Sequence, residues 1–255
     1  MTDDGGHREQ VRALFEAKAV GWPGKYAPEG RLAGRLRQFA GAAAGLVPSG
    51  GELLDLGCAS GELALSLADA GYRVTGCDIA PAMLRAATAA DRRQTVRWVM
   101  LDPGWRSLPF ESASLDAVVA SSLFEYVENP RDVLRECARV LRPGGTLLCT
   151  VPNLVHPVRW LEWPLSRAAG APLAGRAAAG WPRLASYRRY LLVSRQRRTA
   201  RWWRAAGRRA GLRPAPGPRT GPPRAPLRLL TFIRPGRAGA PTFNPSEDIC
   251  DHGND

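Results

Sequence analysis

Short apolar runs alternate with amphipathic segments along the first 150 residues of the chain. Runs of this length, bounded by turn-forming residues and ending close to a polar side chain, are typical of buried strands. The segments between them have their apolar positions at helical spacing. Strands that alternate with helices predict a parallel sheet covered on both faces. The strands are predicted over 53–56, 72–78, 96–102, 115–121 and 145–151.

The remaining segments divide the chain around this sheet. Their spacing predicts helices over 8–20, 31–46, 81–90, 129–141 and 194–211, and further strands over 212–215 and 227–233. Residues 153–180 are rich in Pro, Ala and Trp and are interpreted as an irregular insertion that forms a lid over a substrate. The predicted units are a helical cap (1–50), a cofactor-binding core (51–151), the lid (152–193), a helix and strands completing the core (194–235) and a disordered tail (236–255).

One stretch organises the rest of the chain. A strand beginning at Leu53 carries an acid, Asp55, and leads through a loop of small residues from Gly57 to Gly61 into an amphipathic helix. Glycines let the chain turn sharply and let a ligand approach the bare backbone. The helix that follows presents unpaired N–H groups at its start. This arrangement predicts a loop that binds a nucleotide cofactor.

Four polar residues stand at the carboxyl ends of predicted strands, namely Asp55, Asp78, Asp102 and Ser121. In an open α/β sheet these ends line one crevice, which is the usual ligand site. A strand-end acid can also cap the next helix, but capping explains three such acids less well than it explains one. The pattern favours a shared ligand site.

The basic charge of the chain belongs to its C-terminal part. The formal net charge is +13, yet residues 1–150 hold 17 Lys and Arg against 18 acids, whereas residues 151–255 hold 19 Arg against five acids. The arginines from Arg188 to Arg213 are interleaved with Trp202 and Trp203. They suit RNA, an anionic small molecule, an acidic carrier or an anionic membrane surface, while a solvated helix face explains them equally well.

Five cysteines without a C-x-x-C pair predict free thiols in a reducing compartment. The first seven residues lack the basic start and apolar core of a signal peptide, and the sequence contains no run of about 18 apolar residues. The expectation is a cytoplasmic protein without a transmembrane segment.

Two cofactors compete for the loop at Gly57. A dinucleotide requires a G-x-G-x-x-G pattern, which fits poorly because Leu63 and Ala64 occupy the region of the later glycine. S-adenosylmethionine has no phosphate and offers an amino-acid end instead. The spacing, with an acid before the loop, therefore favours S-adenosylmethionine.

Four sequence blocks, in this order, resemble the class I S-adenosylmethionine-dependent methyltransferases, in the branch that includes the ubiquinone and menaquinone biosynthesis methyltransferases. The resemblance covers about residues 10–235 and implies a Rossmann-like α/β fold. Its sheet would have seven strands, mostly parallel, with an antiparallel C-terminal hairpin, and its cofactor would be S-adenosyl-L-methionine. The blocks are LLDLGCASG (53–61), VTGCDIAPAML (74–84), LPF with LDAVV (108–110 and 115–119) and VLRPGGT (140–146).

The resemblance also implies roles for individual residues. Asp55 and the glycine loop would hold the amino-acid end of the cofactor, Asp78 would bind both ribose hydroxyls, and Asp102 would accept from the adenine amino group. Ile79 and Met83 would flank the adenine, and Ser121 and Leu123 would lie near the sulphonium. The implied cofactor-binding residues are Asp55, Gly57, Cys58, Ala59, Gly61, Asp78, Ile79, Met83, Asp102, Ser121 and Leu123.

Three positions depart from the pattern of the family. Ala59 stands where many relatives have glycine, and Pro103 has no N–H to donate to adenine. The segment 123–126 lacks the histidine that relatives often carry there. These departures leave open a protein that binds the cofactor but has lost methyl transfer.

Methyl transfer from a sulphonium requires no protein nucleophile, because the enzyme gains most from aligning the acceptor and excluding water. A hydroxyl acceptor gains from a general base, whereas a carbon or carboxylate acceptor needs none. The candidate catalytic residues are Tyr126, Glu125 and His156.

The resulting hypothesis is O-methylation of a small molecule in secondary or envelope metabolism. An anionic or carrier-bound acceptor and contact with a membrane surface stay open. The first rival is an RNA methyltransferase, although no RNA-binding module and no Asn/Asp-Pro-Pro-Tyr motif is evident, which disfavours nucleic acid. The second rival is a cofactor-binding scaffold without activity.

Overall fold

A seven-stranded sheet lies at the centre of the molecule. The computed structural model describes residues 4–27, 29–30, 32–171, 174–175, 180–216 and 225–236. Most of the predicted loop 216–226 and nearly all of the predicted tail 236–255 lie outside these residues. The strands are β1 (Glu52–Leu56), β2 (Arg73–Asp78), β3 (Val96–Met100), β4 (Leu115–Ala120), β5 (Leu141–Pro152), β6 (Arg213–Ala215) and β7 (Leu227–Ile233).

The strand order is β3-β2-β1-β4-β5-β7-β6. The first five strands are parallel, and β7 runs antiparallel to both β5 and β6. The order reverses between β1 and β4, so the carboxyl ends of these two strands border the crevice where ligands of open α/β sheets bind. The predicted fold class, including the antiparallel C-terminal hairpin, is confirmed.

Helices cover both faces of the sheet. Proline at the first turn of α4 and α5 fixes where each of these helices begins. The predicted helix 8–20 ends at Glu16, and the one predicted from residue 194 begins at Ala200. The helices are α1 (Asp4–Glu16), α2 (Ala33–Ala44), α3 (Glu62–Asp69), α4 (Pro81–Ala90), α5 (Pro130–Val140), α6 (Pro157–Ala169), α7 (Pro182–Val193) and α8 (Ala200–Arg209).

Successive residues of the central strands enter two different cores, because side chains alternate between the faces of a sheet. On β1, Leu53 packs against Phe39 of α2 and Leu67 of α3. Its neighbour Leu54 joins the opposite core, which includes Trp203 of α8. Burial on both faces explains why these strands read as continuous apolar runs.

The irregular insertion predicted over 153–180 is wrong for the described residues, because α6 lies within it. The buried side chains of α6 include Arg159 and Glu162, whereas Trp160 and Trp163 are exposed. Hydrophobic periodicity assumes that apolar residues face the core, so it does not detect a helix whose apolar residues face solvent. Pro164 inside the helix adds a further signal against it.

Within the described ranges, no helix combines the length and apolar character needed to span a bilayer. The four cysteines in those ranges, Cys58, Cys77, Cys137 and Cys149, are buried free thiols.

Candidate active site

The loop after β1 is held in a left-handed conformation at three alternate positions. Gly57, Ala59 and Gly61 have φ angles of 77°, 50° and 86°, and Gly61 is also the N-cap of α3. A Cβ atom added at Gly61 would lie 2.5 Å from the ring of Trp98. Both the positive φ angle and the packing therefore require glycine at this position. The loop therefore presents backbone, with few side chains, at the carboxyl end of β1.

Asp55 is the feature of this loop that most clearly indicates a ligand. Its side chain is 1% exposed, and neither of its carboxylate oxygens has a hydrogen-bond partner among the described residues. Burial and, to a smaller extent, the nearby carboxylates of Asp78 and Glu62 raise the pKa of Asp55 to about 8, while the neighbouring backbone N–H of Ala64 opposes the increase. A buried carboxylate without partners is costly, which makes this position suited to a cationic group such as the ammonium of an amino acid.

Asp78 fixes the loop by accepting hydrogen bonds from backbone N–H groups, and its carboxylate oxygens can still accept further ones. One of its carboxylate oxygens accepts from the N–H of Ala59 and the other from the N–H of Ala80, both at 2.9 Å. Burial raises the pKa of Asp78, and these two hydrogen bonds oppose the increase. Each oxygen retains a second lone pair, so the pair of ribose hydroxyls implied by the resemblance can still be accepted.

The residues expected to flank the adenine are covered by the N-terminal segment. Met83 is fully buried in a cluster with Ala19, Ala59 and Ala80. Ile79 packs against a neighbouring cluster that contains Leu14 of α1. The segment that follows α1 thus closes over the end of β2, which excludes water from this part of the site.

Asp102 is placed differently from the other strand-end acids. Its side chain is exposed, and its Oδ1 accepts from the N–H of Gly104 at 2.6 Å. This hydrogen bond forms a local turn around Pro103 and uses the N–H of Gly104, so neither Pro103 nor Gly104 offers a backbone N–H to adenine in this conformation. The role of Asp102 toward adenine stays a prediction.

The segment after β4 connects the glycine loop to a second cleft. Leu123 lies against the loop, since its Cδ1 would be 3.1 Å from a Cβ added at Gly57. Arg35 of α2 donates to the hydroxyl oxygens of Ser121 at 3.4 Å and Ser122 at 2.6 Å. No carboxylate in the described ranges pairs with Arg35. Leu123 therefore lies beside the glycine loop, and the positions of Ser121 and Leu123 near the sulphonium stay predictions.

The second cleft has a volume of about 2130 Å³ and lies between α2, α6, α7 and β7. Among the residues described, its lining carries eight cations against two carboxylates, and both carboxylates pair with Arg159. The cleft is therefore strongly positive. Its cations are Lys18, Lys25, Arg35, Arg37, Arg159, Arg183, Arg204 and Arg228.

The three candidate catalytic residues all line this cleft, but none is arranged as a general base. Burial, followed by the charge of Glu125, raises the pKa of the Tyr126 phenol well above its ordinary value. His156 is the N-cap of α6, where its Nδ1 accepts from the N–H of Val158 at 3.2 Å. In the neutral tautomer that this bond requires, Nε2 carries the proton and cannot accept another. Their catalytic roles stay predictions.

Glu125 belongs to a buried cluster that sequence reasoning did not find. Arg159 lies 3.3 Å from Glu125 and 2.7 Å from Glu162, and its Nη1 is 2.7 Å from the Tyr190 hydroxyl. That hydroxyl is 3.1 Å from Glu125. Burial raises the pKa of Glu125, and the Arg159 guanidinium opposes the increase. The cluster joins α6 and α7 to the core, and only the spacing of Arg159 and Glu162 in the sequence hinted at it.

The tryptophans of α8 do not form a stacking platform. Trp203 is 1% exposed and packs on Phe124, with ring centroids 5.3 Å apart. Trp202 is half-buried, and Arg198 and Arg131 lie 5.0 and 5.5 Å from its ring. A base cannot stack on a buried ring, so this helix lacks one of the features expected of a single-strand RNA site.

The fold and the cofactor loop together define a class. Residues 54–149 match the family model described as "Methyltransferase domain". Residues 54–149 therefore contain a methyltransferase domain, set in a fold of the Rossmann-like class I type, and the residues around Asp55 fit the amino-acid end of S-adenosylmethionine.

Individual relatives sharpen this picture. The chain is 35% identical over 109 residues to the ubiquinone biosynthesis O-methyltransferase of Xanthomonas axonopodis pv. citri (strain 306), covering 42% of this chain and 46% of that protein. It is 36% identical over 116 residues to the demethylmenaquinone methyltransferase of Tropheryma whipplei (strain Twist), covering 45% and 46%. The chain thus matches less than half the length of these curated relatives.

Solved structures extend the likeness to most of the chain. A chain in the complex between the Haloferax volcanii Trm112 methyltransferase activator and a methyltransferase is 25% identical, with a TM-score of 0.59, covering 87% of this chain and 97% of that one. Magnesium protoporphyrin IX methyltransferase (ChlM) from Synechocystis PCC 6803 with bound SAM is 16% identical, with a TM-score of 0.61, covering 92% and 98%. The second likeness shows the fold alone.

Proposed function

We propose that the chain transfers the methyl group of S-adenosylmethionine to an oxygen atom of a small, anionic acceptor bound in the cationic cleft. The observation that carries the proposal is the buried Asp55, whose carboxylate has no partner among the described residues and lies beside a left-handed glycine loop. An ammonium group bound there would supply the charge and the hydrogen bonds that Asp55 lacks.

When bound, S-adenosylmethionine supplies an electrophilic methyl group. Asp55 and the loop backbone hold its amino-acid end, and Asp78 accepts from its ribose. Leu123 and the segment after α1 exclude water. So held, the cofactor would supply its methyl group to the acceptor oxygen and would depart as a neutral thioether, with the electron pair of the broken carbon–sulphur bond on sulphur.

The absence of an arranged base among Tyr126, Glu125 and His156 supports an acceptor oxygen that is already ionised. A carboxylate or an acidic phenol needs no proton removed at the moment of transfer. Arg35 suits such a group, because its guanidinium lines the cleft and is held by Ser121 and Ser122. Guanidinium groups bind carboxylates in a bidentate geometry. The name of the Xanthomonas relative supports oxygen as the acceptor atom.

The test is release of S-adenosylhomocysteine from the cofactor in the presence of a panel of aromatic carboxylates and phenols, each compared with its neutral ester or ether. We expect turnover with the ionised compounds only. Arg35→Gln should lower kcat/KM for them by roughly 100-fold and leave cofactor affinity within a factor of three.

Arg37→Gln is the matched control, since Arg37 lies two residues away on α2 and also lines the cleft. It should change kcat/KM by less than about threefold. Equal turnover of neutral and ionised compounds, or equal effects of the two substitutions, would contradict the anionic acceptor. Cofactor binding without turnover of any compound would favour the inactive scaffold.

A further inference from the structure

Helix α6 buries charged side chains and exposes apolar ones. Its buried side chains include Arg159 and Glu162, whereas Trp160, Trp163 and Leu161 lie on its solvent side. Trp160 is 65% exposed and Trp163 is 57% exposed. A surface helix of a soluble domain normally shows the opposite arrangement, with its apolar stripe toward the core. The exposed apolar side of α6 therefore contributes little to folding.

The exposed apolar side chains of the molecule are concentrated at this place. Of the ten large apolar side chains that are exposed in the described part, eight lie between Val155 and Tyr187. Helices α6 and α7 pack together, and Arg188 of α7 donates to the carbonyl of Ala169 at 2.8 Å. The exposed apolar side chains on and next to these two packed helices are here called the outer lid surface and comprise Trp160, Leu161, Trp163, Leu165, Trp181 and Leu184.

The exposed charged side chains of α6 and α7 are all arginines. Between residues 137 and 246 the sequence contains a single acid, Glu162, which is buried and paired with Arg159. Exposed arginines border the surface on both helices, and the guanidinium of Arg167 lies 5.3 Å from the ring centroid of Trp163. A second copy of this chain would bring like charges together, so self-association through this surface is disfavoured.

Tryptophan and leucine bordered by arginine, on two helices that expose no acid, match the chemistry of one occupant. The bilayer interface takes indole rings at the level of the headgroups and aliphatic side chains slightly deeper, while arginine pairs with lipid phosphates. We propose that the outer lid surface docks onto a bilayer containing anionic lipid. The inner sides of α6 and α7 line the acceptor cleft, so docking would set one wall of that cleft against the membrane.

The test is co-sedimentation of the full chain with vesicles at low salt. We expect binding to vesicles of phosphatidylcholine with about 30% phosphatidylglycerol, much weaker binding to phosphatidylcholine alone, and release as salt rises, because screening weakens the arginine contacts. The double substitution Trp160→Ser with Trp163→Ser should lower the partition coefficient at least tenfold. Val20→Ser is the matched control, since Val20 is exposed but lies far from the lid in sequence.

Substitution of exposed arginines tests the same docking without changing the tryptophans. Arg167→Gln with Arg189→Gln should lower binding to the anionic vesicles by about tenfold, whereas Arg85→Gln on the exposed surface of α4 should leave it unchanged. Circular dichroism should show unchanged folding for each variant, because all the substituted side chains are exposed. The proposal is overturned if the chain does not sediment with anionic vesicles, if it binds both compositions equally, or if the lid variants bind as the wild type does. Retention of tRNA without retention of vesicles would equally overturn it.

Discussion

Two groups of buried carboxylates lie at the carboxyl ends of the strands, and they differ in their partners. Asp55, beside Asp78, has no hydrogen-bond partner among the described residues. Glu125 and Glu162 share one guanidinium, that of Arg159, and a tyrosine hydroxyl. Both places exclude water, so the same physics of desolvation applies to each.

The difference distinguishes a ligand site from a structural joint, by which we mean the buried cluster around Arg159 that fixes the lid helices to the core. A buried charge that the protein itself neutralises fixes two parts of the fold to one another. A buried charge that the protein leaves without a partner lowers stability, and it persists where a ligand completes it. On this comparison Asp55 belongs to the site, and Glu125, although predicted as a catalytic candidate, lies in the joint that holds the lid.

Removing the shared guanidinium should have the largest effect. Arg159→Met leaves Glu125 and Glu162 buried without their partner, so we expect the free energy of unfolding to fall by about 3–5 kcal/mol. Urea denaturation measures this loss. Arg135→Met, which breaks the exposed pair with Asp132, should cost less than about 0.5 kcal/mol.

A triple variant sharpens the same point. Arg159→Met combined with Glu125→Leu and Glu162→Leu removes all three charges, and it should recover most of the stability lost in the single variant. If Arg159→Met is as stable as the wild type, the cluster of Arg159, Glu125 and Glu162 does not stabilise the fold. The contrast between this cluster and Asp55 would then not hold.

Asp55→Asn should raise the free energy of unfolding, whereas Arg159→Met lowers it. The folded pKa of Asp55, about 8, lies above its ordinary value of 3.8. The folded state therefore holds this proton more tightly, and the stability linked to it is complete below about pH 4 and is lost as pH rises through 8. We expect the unliganded variant to exceed the wild type by on the order of 2 kcal/mol at pH 8.5 and by much less at pH 4.5.

Denaturation at the two pH values checks this, with Glu111→Gln as the control. Glu111 is exposed, so its substitution controls for the loss of one surface carboxylate. A variant at Asp55 that is less stable than the wild type at both pH values would indicate that this carboxylate has a structural partner after all.

The smallest effect concerns the loop itself. Ala59 adopts a φ of 50°, which costs a residue with a Cβ about 1 kcal/mol, so Ala59→Gly should change stability by no more than about 1 kcal/mol and retain cofactor binding. Gly57→Ala, with a φ of 77° and Leu123 close to the new Cβ, should destabilise by more than 1 kcal/mol. Thermal melts of the two variants compare them directly. Equal destabilisation would mean that the left-handed conformation is not what limits this loop.

The sheet and its strand-end acids could be predicted from the sequence, whereas the buried cluster around Arg159 could not. Strand-end acids such as Asp55 and Asp78 are predictable because a parallel sheet brings the carboxyl ends of its strands to one edge. Helix α6 was missed because its apolar residues, Trp160 and Trp163, face solvent, which reverses the periodic signal. Arg35 carries no local signal either, since it meets Ser121 and Ser122 only through the fold.

The role proposed for Asp55 is to complete a binding site for the amino-acid end of S-adenosylmethionine. Calorimetric titration of S-adenosylmethionine into the wild type and into Asp55→Asn at pH 8 tests it most directly. We expect one site in the wild type and an affinity lower by roughly 100-fold in the variant, whose fold is unchanged or more stable. No binding by the wild type, or equal binding by the variant, would contradict the account.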